Sequence, residues 1–207
     1  MTTIGRWSPN KVRARVLDGT WVSTEELGGM VLLTPTSIAY SGTSASIGAN
    51  GSVEFSAVSQ LRLNGVFSAD YDNYLVAQRQ VYSTTTANIL YVRFSVGGTD
   101  NSTASSYVQQ NLNANGTTVS AIRNTADIGR ISLVDGDAND GFVANVYGPY
   151  LAQPTAWRSI ICGGSDGARF YDYAGTHNQS TSYDGFNITV DTGSVSGLVS
   201  VYGLVGA

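Results

Sequence analysis

Apolar and polar positions alternate over short stretches of this chain, and the stretches end at clusters of Gly, Asn, Asp, Ser or Pro. Residues 89–96 show the pattern most clearly, because every second side chain from Leu90 onward is apolar before Gly97 and Gly98 turn the chain. A period of two residues is typical of β-strands with one buried face. No window of eleven or more residues has the three-and-four spacing of an amphipathic helix. The pattern therefore predicts strands throughout.

The predicted strands recur every 8 to 15 residues or so without helices between them, which is typical of antiparallel sandwiches and barrels. β-branched residues and twelve tyrosines supply the side chains that pack well on a pleated surface. We predict an all-β fold, namely an antiparallel two-sheet β-sandwich.

The first third of the sequence differs in composition from the rest. Residues 1–36 hold two of the three tryptophans and a basic cluster. Residues 41–52 are rich in Gly, Ser and Ala, as in a flexible connection or a long loop. We predict an N-terminal attachment segment, residues 1–40, and a β-sandwich domain, residues 41–207. The alternative, that the first strands belong to the same sheet, stays open. The candidate attachment or subunit contacts are Trp7, Trp21, Arg13 and Arg15.

Charged residues make up 13% of the chain, about half the usual share, and Lys11 is the only lysine. A net charge of −4 with scattered arginines argues against nucleic-acid binding. A neutral polar surface suits contact with further copies of the chain or with sugars, because little charge must be desolvated. We expect no membrane insertion, since no apolar run approaches the length of a span. The single cysteine, Cys162, is expected to be a buried thiol.

Catalytic and metal-binding patterns are weak. Asp135, Asp137 and Asn139 have the alternate spacing of a calcium loop, but Val146 stands where the bidentate glutamate should be. A turn is the favoured interpretation, so no metal and no cofactor is predicted. The lone His177 has no recognisable triad partners, and no nucleophile, phosphate-loop or zinc motif is present. We predict that the protein is not an enzyme.

Two segments near the C-terminus mix aromatic rings with amides and carboxylates, the combination that recognises sugars. The candidate glycan-binding residues in these segments are Tyr171, Asp172, Tyr173, His177 and Tyr183. The alternative is that these rings fill the core or a subunit interface.

The run QLRLNGVFSADYDNY, residues 60–74, resembles a segment of tailed-bacteriophage virion proteins of the minor-tail, tail-fibre and head-fibre or decoration type. Residues 91–94 with 97–101, 147–149 and 199–203 are similar to the same proteins, so the resemblance spans about residues 53–203. It implies a jelly-roll-like sandwich that forms a homotrimer on the virion surface. It also implies that the N-terminal segment docks onto other capsid or tail proteins. A host-glycan-binding module of the phage tail is the alternative function.

Overall fold

The computed structural model describes residues 29–82, 88–134, 139–163 and 169–205. All secondary-structure elements within these ranges are β-strands. The predicted all-β class is therefore confirmed. The fourteen strands are β1 Gly29–Leu33, β2 Ser37–Ile47, β3 Val53–Asn64, β4 Asn73–Tyr82, β5 Asn88–Val96, β6 Thr99–Asp100, β7 Tyr107–Asn115, β8 Thr118–Ala126, β9 Gly129–Val134, β10 Asn139–Tyr147, β11 Thr155–Gly163, β12 Arg169–His177, β13 Gly185–Val190 and β14 Val195–Val205.

Strand β5 shows why these residues form strands. Leu90, Val92 and Phe94 are all buried, and Tyr91 and Arg93 lie on the opposite, half-exposed face. The alternation seen in the sequence thus separates a core face from a solvent face, as the pleat requires. The same division holds along β4 and β10.

All strand pairs are antiparallel, and they form one continuous sheet with the order β6-β5-β13-β3-β14-β4-β10-β11-β12-β7-β8. This differs from the expected pair of separate sheets. The physical reason lies in β3, whose two halves have different partners. Residues 53–58 pair with β14, and residues 60–63 pair with β13. The register shifts there, and Ala57 adopts a φ of 46°. A bulge lets β3 bend and join both parts of the sheet.

The sheet curls so that its parts pack face to face over one core. Strand β9, which pairs with β5, also contacts β11 and β12, neither of which is its neighbour in the sheet. The Phe94 ring of β5 meets the Trp157 ring of β11 edge-on, with centroids 6.1 Å apart. Trp157 donates its indole N–H to the Arg130 carbonyl of β9 at 3.1 Å. The Trp157 ring therefore closes the core while its polar N–H keeps a hydrogen-bond partner.

The first described strands belong to this same sheet. Strand β1 pairs with β14, and β2 pairs with β3 along nearly its whole length. The predicted boundary at residue 40 falls inside β2, and residues 41–47 form a strand where a flexible connection was expected. Trp7, Trp21, Arg13 and Arg15 lie outside the described residues, so their attachment role stays a prediction. Within the described ranges no helix is long and apolar enough to cross a membrane.

Candidate functional site

The five residues predicted to bind glycans divide between the core and the surface. Tyr173, His177 and Tyr183 are 2%, 0% and 0% exposed. Their rings cannot stack on a sugar at the surface, so the prediction is corrected at these three positions in favour of a core role. Tyr171 is half-buried and stacks on Tyr173 with centroids 6.0 Å apart, while Asp172 points to the opposite face of β12. Of the five predicted glycan-binding residues, Asp172 is therefore the one that the structure places on the outer face, within reach of a ligand.

The buried rings form a hydrogen-bonded network. Nε2 of His177 and the Tyr183 hydroxyl are 2.6 Å apart, and the Asn101 amide donates to that hydroxyl at 2.8 Å. The His177 ring stacks on Tyr107, with centroids 4.0 Å apart. Burial lowers the pKa of His177 from 6.5 to about 4, because the charged imidazolium would be desolvated there. His177 is thus a neutral structural residue at physiological pH.

The outer face of β11 and β12 carries an ion pair. Arg158 donates from Nε to Asp172 Oδ1 at 3.0 Å and from Nη2 to Oδ2 at 2.7 Å, so the pair is bidentate. The Arg158 side chain is 54% exposed and that of Asp172 20%. The carboxylate of Asp172 raises the pKa of Arg158, chiefly through this hydrogen bond. The pair therefore presents fixed donors and acceptors to solvent on a rigid sheet.

A groove of about 380 Å³ lies beside this pair on β7, β8, β11 and β12. It is the size of a small-molecule site. Its floor contains small side chains, Ala156, Ala174 and Thr176, and its side wall contains Gln110 and Arg123. We call this the outer-face groove.

Strand register explains why these residues meet. Ala156 lies opposite Thr176, Ala174 opposite Gln110, and Gln110 opposite Arg123, so neighbouring strands bring the side chains into adjacent rows. On the inner side of the same strands, a Cβ on Gly175 would lie 2.4 Å from the Trp157 ring. Glycine at this position lets the large indole pack directly beneath the groove and support it.

The groove offers three kinds of chemistry. The Gln110 amide and the Thr176 hydroxyl can donate and accept neutral hydrogen bonds, and Arg123 supplies an exposed guanidinium. At one end, Tyr147 lies opposite Ala156 in the strand register and is 44% exposed, which presents an aromatic ring at the surface. No acid–base pair or nucleophile is evident among these groups.

An apolar strip borders the groove on the same face. It consists of exposed side chains on β7, β10, β11, β12 and β14, namely Leu112, Val143, Ile160, Phe170 and Leu198. Cys162 lies in this strip and is exposed, which corrects the expectation of a buried thiol. The outward position follows from alternation, because Ile161 occupies the inner face of β11.

The calcium-like pattern finds no structural support in the described part of the chain. Asp135 and Asp137 lie outside the described residues, and Asn139 begins β10 opposite Val81. Within the ranges that the structure describes, no three His, Cys, Asp or Glu side chains come close enough to hold a metal ion.

Sequence reasoning did not find Gln110, Arg123, Arg158 or Tyr147 as site residues. Each is a common surface residue type on a strand. The register of the pairs β7–β8, β10–β11 and β11–β12, and the pairing of β12 with the distant strand β7, bring them together. The alternation around Trp157 indicates that Arg158 faces solvent, but gives no sign that Asp172 lies beside it.

Comparison with known proteins gives distant likenesses only. No protein-family model matches the chain, and no curated protein matches it. Domain 4 of AbnA, a GH43 extracellular arabinanase from Geobacillus stearothermophilus, solved in complex with arabinotriose, is 11% identical with a TM-score of 0.33. That comparison covers 86% of this chain and 82% of that one.

Two further solved structures are similarly distant. A Lotus tetragonolobus seed lectin is 8% identical over 85% of this chain and 99% of its own, with a TM-score of 0.29. The CBM2 module of the evolved Dit of Lactobacillus casei BL23 phage J-1 is 10% identical over 84% and 93%, with a TM-score of 0.27. What this chain binds therefore has to be inferred from its own side chains.

Proposed function

We propose that this chain is a non-catalytic carbohydrate-binding domain whose ligand lies in the outer-face groove. The observation that carries the proposal is the groove itself, with a floor of small residues beside the bidentate Arg158–Asp172 pair. Sugars present neighbouring hydroxyl groups that both donate and accept, and a fixed guanidinium–carboxylate pair offers partners for both roles.

The small side chains give a sugar ring access to the sheet. Ala156 and Ala174 project only a methyl group each, so a ring can approach the backbone between Gln110 and Arg158. The exposed Tyr147 ring at the end of the groove is available for stacking on the apolar face of a sugar. Because all these groups lie on paired strands, little conformational entropy is lost on binding.

The low charge of the chain is consistent with this proposal. Neutral amides and hydroxyls cost less to desolvate than ions, and the surface has few ions to begin with. The expectation that the protein is not an enzyme stays a prediction.

A second candidate function is that of a structural protein on the surface of a bacteriophage virion. The sequence resemblance over residues 53–203 supports it, and so does the exposed apolar strip, which is a surface suited to protein contact. In this proposal the part of the predicted attachment segment that precedes β1 attaches the domain to other capsid or tail proteins, and the domain assembles as a homotrimer. Immunogold labelling of purified phage particles tests the location, and unlabelled particles would exclude it.

A glycan array probed with the full chain tests the carbohydrate-binding proposal. Two alanines on exposed strand faces provide a matched pair of variants. Ala174→Trp fills the outer-face groove, and Ala39→Trp adds the same ring to β2, outside the groove. We expect binding by the unmodified chain and by Ala39→Trp, and loss of binding in Ala174→Trp. Equal binding by all three would place the site elsewhere, and no binding by any of them would refute the proposal.

A further inference from the structure

One end of the sheet is an open edge formed by β8. Within the described residues β8 pairs only with β7, and it stands last in the strand order. Most of its side chains are exposed, with Val119 at 68% on one face of the strand and Ile122 at 45% on the other. A nine-residue strand with free backbone groups and apolar side chains is a template for pairing with another strand.

The hairpin geometry fixes which backbone groups of β8 are free. Asn115 and Thr118 close a two-residue turn that contains Gly116 at a φ of 57°, so Thr118 is hydrogen-bonded to β7. Backbone groups alternate in direction along an antiparallel strand. The residues that direct their N–H and C=O groups away from β7 are therefore Val119, Ala121, Arg123 and Thr125.

The other long edge strand is protected in a way that β8 is not. The register of β2 shifts between Ser41 and Gly42, and such bulges twist an edge and interrupt its pairing surface. Strand β8 keeps an unbroken register with β7 from Thr118 to Ala126. Edges are also commonly protected by Lys or Pro, and β8 contains neither.

We infer that two copies of this chain pair through their β8 strands, antiparallel and centred on Ile122. In this register all nine residues pair, Ile122 meets its own copy, and Ala121 lies opposite Arg123. The free backbone groups of Ala121 and Arg123 then face each other and can hydrogen-bond, as those of Val119 and Thr125 can. The one charged side chain of β8 meets an alanine, so like charges do not lie directly opposite.

The pairing has a consequence for the candidate site. Directly opposed residues of antiparallel strands project from the same face, so both outer-face grooves would lie on one side of a sheet that runs through both copies. Arg123, which lines the groove, would lie close to the two-fold axis. Two sites on one rigid face increase avidity for a repetitive glycan. This consequence rests on the proposed function, whereas the pairing itself does not.

Cysteine cross-linking tests the register in the full chain with Cys162 replaced by Ser. Opposed residues of a non-hydrogen-bonded pair have Cα atoms about 4.5 Å apart, within the range for a disulfide. Ile122→Cys should therefore cross-link to its copy on mild oxidation. Ser120→Cys is the control, because Ser120 lies opposite Asn124 in this register. A dimer with Ile122→Cys alone supports the pairing, and cross-linking by neither variant or equally by both overturns it.

Charge substitution provides an independent measurement. Ala121→Glu places a carboxylate opposite Arg123 of the copy, and Ala121→Lys places a like charge there. Since each pair occurs twice in the dimer, we expect Kd to change by about 2- to 30-fold, downward for Glu and upward for Lys. Ser44→Glu and Ser44→Lys on the β2 edge should leave it unchanged.

Light scattering gives the mass during these measurements. A mass of about twice 21.8 kDa is expected at high micromolar concentration. A single chain, or the three chains implied by the sequence resemblance, would overturn the pairing. Glycan binding by a strictly monomeric chain would leave the proposed function standing, so failure of one proposal is distinguishable from failure of the other.

Discussion

His177 is the only histidine in the chain, and its burial should make stability depend on pH. The pKa of His177 is near 6.5 in the unfolded chain, whereas burial lowers this pKa to about 4 in the folded chain. Between these values the unfolded state carries the extra proton, so acid favours unfolding. The two pKa values give a loss of about 2 kcal/mol of unfolding free energy between about pH 7.5 and pH 5, and about 3 kcal/mol at most below pH 4.

Urea unfolding of the native chain and of His177→Phe, each at pH 7.5 and pH 5, measures this effect. Phenylalanine keeps a ring beside Tyr107 but cannot take up a proton. The unfolding free energy of the variant should therefore lack the loss of about 2 kcal/mol between pH 7.5 and pH 5. The variant also serves as the control for every other source of pH dependence, because the two chains differ only at position 177. An equal loss of stability in the two proteins would refute the reasoning, as would a His177 NMR titration with a midpoint near 6.5.

Three further outcomes are expected. Gly175→Ala should lower the unfolding free energy by about 1 to 3 kcal/mol, because its Cβ would lie 2.4 Å from the Trp157 ring; chemical denaturation measures this, and an unchanged midpoint would contradict it. Tyr74→Phe should cost about 1 to 3 kcal/mol in the same assay, since its hydroxyl bonds both the N–H and the carbonyl of Ser68 at 2.8 Å. Arg158→Ala should weaken glycan binding at least tenfold by titration calorimetry with its melting temperature nearly unchanged, and native affinity in this variant would remove Arg158 from the site.

The sequence predicts the strands well because their signal is local. Alternation along 89–96 depends on neighbouring residues alone. The structure buries Leu90, Val92 and Phe94 of the predicted face, whereas Val96 at its end is exposed. The prediction that residues 41–52 are flexible was wrong over β2 because small polar residues also suit an exposed edge strand. Composition alone does not distinguish these two environments.

The aromatic segment of β12 shows a second reason for error. Phe170 to His177 alternate faces, so rings adjacent in sequence cannot all reach one ligand. The sequence pattern left two roles open for these rings, glycan contact or a place in the core or a subunit interface. The structure assigns Tyr173 and His177 to the core. Asp172 remained at the surface, but its partner Arg158 comes from another strand, and that pairing depends on a register that no local pattern encodes.

Alternation on β11 and β12 separates the core from the proposed binding surface within the same strands. The inner face holds Trp157 and His177 in an aromatic core, and the outer face holds Arg158 and Asp172, whose ion pair is exposed and adds little to stability. Because the two faces share a rigid backbone, side chains of the outer face can be exchanged without disturbing the core beneath them. If the proposed binding surface and the proposed β8 pairing both hold, such a fold can change its ligand while keeping its sheet, and pairing at β8 doubles the surface without a longer chain.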